Sequence, residues 1–139
     1  MHKSRPLLLV EDDQIDARAV KRALEDLNMA DSMVHMTNGV EALEYLRSGV
    51  NELPSLILLD LNMPKMSGIE FLKEIKNDPR LRRIPIVVLT TSQEDRDVMG
   101  TFEHSVAGYM VKPLDYQRFV KTVNTITDYW ALSVLPSEI

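Results

Sequence analysis

The chain has 139 residues, of which 45% are apolar and 27% charged, with a formal net charge of −5 and no cysteine. That length fits one domain with a sizeable core. The composition excludes disulfides, thiolate metal sites and a cysteine nucleophile, and the acidic balance disfavours bulk nucleic-acid binding, which needs clustered Lys and Arg.

Met1 to Pro6 is short and polar, and the apolar run after it is far too short for a signal-peptide core or a membrane span, so the cytoplasm is the expected compartment. Leu7-Leu8-Leu9-Val10 is a continuous apolar run that ends in Glu11-Asp12-Asp13 and reads as a strand buried on both faces. A helix is expected from about Gln14 to Leu27, with Val20, Leu24 and Leu27 on one stripe; Asp13 either caps it or belongs with the acids before it. Met33 to Thr37 is a more polar strand that suits a sheet edge, and Asn38-Gly39 is a turn signal. Val40 to Arg47 reads as a helix with Val40, Leu43 and Tyr45 or Leu46 facing inward. Leu56 to Leu59 is an apolar strand ending in Asp60. Ser67 to Asn77 is a helix with Ile69, Leu72 and Ile75 in register. The basic stretch from Lys76 to Arg83 (Lys76, Arg80, Arg82, Arg83) reads as a solvated loop. Ile84 to Leu89 is a strand ending in Thr90-Thr91-Ser92, followed by a less regular helix from about Glu94 to His104. Tyr109 to Val111 is the last strand, closed by Lys112-Pro113. The C-terminal helix starts near Asp115 and carries Phe119, Val123, Ile126, Trp130 and Val134 at helical spacing.

Five strands alternating with five helices predict an α/β fold, a doubly wound parallel sheet with right-handed crossovers, four strands in the core and one at the edge. The flavodoxin-like (βα)5 order 2-1-3-4-5 is the natural solution, and ligands in such sheets bind at the carboxyl ends of the strands. Those ends carry Glu11, Asp12 and Asp13, then Asp60, Thr90 and Lys112. Carboxylates brought together repel one another, and a hard divalent cation relieves that cost. An all-oxygen ligand set favours Mg²⁺ over Zn²⁺. A carboxylate such as Asp60 can attack phosphorus, while the Lys112 ammonium and the Thr90 hydroxyl stabilise phosphoryl oxygens. A lone Asp after a strand is usually a polar strand end at a solvated rim; four strand ends with complementary groups favour chemistry.

Four segments, Leu7 to Asp13, Leu56 to Gly68, Pro85 to Thr91 and Gly108 to Pro113, resemble in order and spacing the motifs of response regulator receiver domains of two-component signalling. The resemblance covers nearly the whole chain. It implies that Asp60 is the phosphorylated aspartate. It implies a Mg²⁺ site in which Asp12 is a direct ligand, Glu11 acts largely through water, and Asp60 and the backbone carbonyl of Asn62 complete the set. Thr90 matches the switch hydroxyl, Lys112 the phosphate-binding lysine and Tyr109 the aromatic that moves with the threonine. It also implies a cis Lys112-Pro113 bond. Ser105 stands where many receivers have glycine, which implies a differently shaped end to the preceding helix.

The expected protein is thus a stand-alone response regulator, one receiver domain over residues 1–139 with an extended C-terminal helix. It is a phosphoacceptor switch rather than an enzyme with a separate substrate, taking a phosphoryl group from a sensor histidine kinase and signalling through protein contacts. The long tail and the Thr90-Thr91-Ser92 ending resemble regulators paired with bacteriophytochrome-type kinases. Trp130, Leu132, Val134 and Leu135 suggest either a homodimer, through the helix after the fourth strand, the fifth strand and the C-terminal helix, or packing of Trp130 on its own core. The alternative is a phosphorylation-independent interaction module that keeps the fold; the intact Asp12, Asp60, Thr90 and Lys112 argue against it. A haloacid dehalogenase-type phosphohydrolase would need an acid at position 62, where Asn62 stands.

Overall fold

A computed structural model describes residues 5–29, 32–49, 52–63, 65–91, 100 and 103–132. Its elements are β1 (Leu7–Val10), α1 (Gln14–Asp26), β2 (Met33–Met36), α2 (Gly39–Arg47), β3 (Leu56–Leu59), α3 (Gly68–Lys76), β4 (Ile86–Thr90), β5 (Gly108–Val111) and α4 (Tyr116–Leu132). The helix expected between Glu94 and His104 falls almost wholly outside the described residues.

All strand pairs are parallel, and the sheet order is β2-β1-β3-β4-β5. β1, β3 and β4 are buried along their whole length, which is why they read as unbroken apolar runs rather than alternating ones. β2 is half-buried at one edge, as its polar sequence predicts. β5 forms a second edge, with Met110 and Val111 exposed, because an open five-stranded sheet has two.

One core face joins α2 and α3 to the sheet through Leu8, Val10, Leu43, Leu46, Phe71, Leu72 and Ile75. The other joins α1 and α4 through Leu7, Leu9, Val20, Leu24, Phe119, Val123 and Ile126. Phe71 on one face and Phe119 on the other are the bulkiest buried side chains of the two cores. At about 25 cal/mol per Å² of apolar area, burial of such side chains is the main favourable contribution to this fold. Val40 turns outward with 39% exposure, and Ala42 takes the inward position beside Leu43 and Leu46. Trp130 is half-buried against the α1–α4 core, with exposed Tyr129 beside it.

Helix starts are written in polar side chains. Asp13 accepts from the backbone N–H groups of Ile15 and Asp16 at 2.8 and 3.0 Å. Asn38 accepts from Glu41 N–H. Ser67 and Glu70 form a reciprocal capping box. No helix among the described residues is long and apolar enough to cross a membrane.

Candidate functional site

Strand register assembles the site. Val10 pairs with Leu59, so Glu11 and Asp60 leave neighbouring strands side by side. Thr90 pairs with Val111, and Lys112 N–H donates to the Thr90 carbonyl at 2.8 Å. Glu11, Asp60, Thr90 and Lys112 are all buried, at 3, 7, 0 and 7% exposure, although each is polar or charged. Buried charge persists only where it is paired or meets a ligand.

Glu11, Asp12 and Asp60 each offer a carboxylate oxygen within 4.8 Å of the others. Glu11 and Asp60 are buried and Asp12 is exposed. Three oxygen donors of this kind suit a hard divalent cation that keeps some of its water, and among the described residues no histidine or cysteine joins the group. Burial, with the Asp60 charge adding to it, pushes the Glu11 carboxyl up to about 8, although its hydrogen bond with Lys112 opposes the shift.

The Lys112 ammonium lies 2.5 Å from Glu11 Oε1, 2.8 Å from Asp16 Oδ2 and 3.8 Å from Asp60 Oδ2. Burial alone would lower its proton affinity. The hydrogen bonds with Asp16 and Glu11 and the charges of Glu11 and Asp60 outweigh burial, so the net shift is upward and the group is a cation. Asp16 was not singled out from sequence. Its signal is spacing: it stands four residues after Asp12, in the first turn of the helix that begins where β1 ends.

Asn62 N–H points at Asp60 Oδ1 (3.3 Å), and the Asn62 side-chain amide donates to Thr90 Oγ1 (3.3 Å). Tyr109 is half-buried on β5 against the core. Asp13 stands outside the three-carboxylate group and caps α1. His35 Nε2 lies 2.7 Å from the Glu11 carbonyl oxygen; that oxygen only accepts, so the ring nitrogen carries the proton. The His35 ring thereby ties edge strand β2 to the turn that carries the acids.

The expected cis Lys112-Pro113 bond is corrected: the described residues hold no cis peptide bond. Trans is the ordinary preference of an X-Pro bond, and Lys112 Nζ reaches the carboxylates from the trans backbone. The expectation for Ser105 is also revised. Its φ of 56° is the left-handed conformation that glycine favours, so the turn keeps the glycine-like shape with serine in it.

The comparisons with known proteins agree with this geometry. The model of the response regulator receiver domain matches residues 7–124. The chain belongs to the response regulator receiver family. Members of this family take phosphate from histidine kinases and bind a divalent metal at the acidic pocket. The receiver is 42% identical over 127 residues to FilR2 of Methanothrix harundinacea, named a probable methanogenesis regulatory protein, covering 89% of this chain and 82% of that one. It is 39% identical over 132 residues to the response regulator Rcp1 of Synechocystis, covering 92% and 90%. The Mn²⁺-bound structure of Rcp1 matches with a TM-score of 0.86 at 36% identity, over 95% of this chain and 99% of that one. The phosphorylated cyanobacterial phytochrome response regulator RcpA matches with a TM-score of 0.90 at 37% identity, over 95% and 98%.

Proposed function

We propose that this receiver is a switch phosphorylated on Asp60. The observation that carries the reading is the position of the Asp60 carboxylate. It is buried at the end of β3, within reach of two other carboxylates and 3.8 Å from the Lys112 ammonium. An Asp60 oxygen bonds to phosphorus as the P–N bond of a kinase phosphohistidine breaks; the imidazole leaves with the electron pair and is protonated. Lys112 pairs with a phosphoryl oxygen and Thr90 donates to another, with Tyr109 repacking as Thr90 turns. Glu11, Asp12, Asp60 and the Asn62 carbonyl would hold Mg²⁺, which neutralises charge on the transferring oxygens.

The donor in this reading is a sensor histidine kinase of phytochrome type, and the receiver works in the cytoplasm. The likeness over nearly the whole chain to the phytochrome response regulator RcpA and the bacteriophytochrome response regulator RtBRR supports that class. Residues 1–139 form one receiver unit, in which α4 extends beyond the family match at residue 124 to Leu132. Output passes through protein contacts, including a homodimer formed by β5, α4 and the segment before β5. Support comes from the exposed Met110, Val111, Leu114 and Tyr129 on that side. Sedimentation with and without phosphorylation tests the dimer.

The decisive experiment is intact mass after incubation with acetyl phosphate and Mg²⁺. One added phosphoryl group, dependent on Mg²⁺ and absent in Asp60→Asn, is expected. A wild-type protein that binds Mg²⁺ yet takes up neither phosphoryl nor beryllofluoride is an interaction module without the switch.

A further inference from the structure

Lys112 is held by more carboxylates than phosphoryl transfer calls for. Its ammonium has three donors. One meets Glu11 and one meets Asp16, while Asp60 stands farther off at 3.8 Å. Glu11 and Asp60 belong to the three-carboxylate group; Asp16 does not. The Lys112 side chain is only 5% exposed, so while it stays in the site its ammonium depends on these partners rather than on water. A divalent cation drawn to Glu11 and Asp60 competes for the oxygens that neutralise this lysine. An unpaired buried ammonium is strongly unfavourable.

Asp16 resolves that conflict. It sits in the first turn of α1, where the helix dipole favours a carboxylate, and the Asp13 cap fixes that turn by binding the Asp16 N–H itself. Its side chain is 24% exposed, against 5% for Lys112, so it meets the ammonium from the solvent side of the site.

We propose that Asp16 is a positioning residue that retains the Lys112 ammonium when a divalent cation takes the Glu11 carboxylate, so that metal and lysine occupy the site together. This rests on the reading of the acidic pocket as a cation site. It assigns to Asp16 a role that is neither metal ligation nor phosphoryl contact. Removing the Asp16 charge leaves Lys112 competing with the cation for Glu11 and Asp60. Metal binding then weakens, but only while Lys112 is present.

The test is a double-mutant cycle on the full chain, reading Mg²⁺ affinity by titration calorimetry. Neighbouring groups that act as a unit couple strongly in such cycles. Asp16→Asn is expected to weaken Mg²⁺ binding by about three- to tenfold in the wild-type background and by less than about twofold beside Lys112→Met. Equal weakening in both backgrounds would reduce Asp16 to one more negative charge and overturn the proposal. No Mg²⁺ binding by wild type would remove the cation-site reading and this proposal with it. A second readout needs no lysine variant. The Lys112 ammonium ¹⁵N–¹H signal should persist at saturating Mg²⁺ in wild type and be lost to solvent exchange in Asp16→Asn. Persistence in the variant overturns the proposal.

Discussion

The side-chain amide of Asn62 donates to the Thr90 hydroxyl oxygen at 3.3 Å, tying the loop after β3 to the end of β4. Thr90 is fully buried, so in the proposed switch its rotation toward a phosphoryl group would break or reshape that bond. A neutral hydrogen bond of this kind contributes about 0.5–1.5 kcal/mol net. Asn62→Ala is therefore expected to tighten beryllofluoride binding by roughly two- to tenfold, because the cost of turning Thr90 is removed while the backbone carbonyl of residue 62 stays in place. Titration by NMR checks it; weaker binding would mean that the amide supports the active arrangement instead.

Gly68 lies against the site backbone. A Cβ there would stand 2.5 Å from Leu61 Cα and 2.9 Å from the Asp60 carbonyl oxygen. Gly68 N–H also donates to the Leu61 carbonyl at 2.9 Å, so the two segments cannot simply move apart. Gly68→Ala is expected to destabilise the receiver by about 1–3 kcal/mol and to slow phosphorylation of Asp60. Urea unfolding and intact mass measure the two effects. A variant with wild-type stability would show that the loop after β3 yields easily.

The Glu11 carboxyl gives a pH dependence of definite sign. Its proton affinity rises from an ordinary 4.5 to about 8 on folding, so between those values the folded metal-free state holds more protons than the unfolded one. Its contribution to stability is present below 4.5 and lost as pH rises through about 8. A divalent cation such as Mg²⁺, if held by Glu11 as proposed, competes with that proton. Its affinity should climb from pH 6 to 8, with proton release measurable by calorimetry in buffers of different ionisation enthalpy. Flat affinity across that range would show that Lys112 keeps Glu11 ionised.

Ser105 occupies the left-handed region at φ 56°. A non-glycine residue there is strained by about 1–2 kcal/mol, partly offset by the greater unfolded-chain entropy that glycine brings. Ser105→Gly should raise stability by about 0.5–1 kcal/mol. A lower urea midpoint would mean that the serine side chain stabilises the turn more than its backbone strains it.

The apolar runs 7–10, 56–59 and 84–89 were legible as central strands because they are buried on both faces and carry no mixed periodicity, although the last begins at Ile86. The acids, the threonine and the lysine at their ends were legible because a parallel sheet places every strand's carboxyl end on one rim. Asp13 was legible only as a cap or a further acid, and its bonds to the Ile15 and Asp16 N–H groups decide for the cap. Val40 was misplaced because an inward stripe on a nine-residue helix tolerates either Val40 or Ala42 as its first member, and packing on β1 and β3 decides between them. The second sheet edge escaped because β5 is apolar in sequence yet half-exposed in place. The cis Lys112-Pro113 bond came from family likeness rather than from any residue pattern.

The sequence by itself determined the order of elements, the all-oxygen character of the site and the identity of Asp60, Thr90 and Lys112 as groups at one rim, since local apolar patterning and strand polarity dictate these. Only the tertiary structure decided which carboxylates share Lys112, that Asn62 holds Thr90, that His35 donates to the Glu11 carbonyl and that Gly68 must lack a side chain. Those contacts join residues 7 to 101 positions apart, or depend on ångström-scale approach of two backbones. They are fixed by packing distance and burial, which no local pattern of residue types encodes.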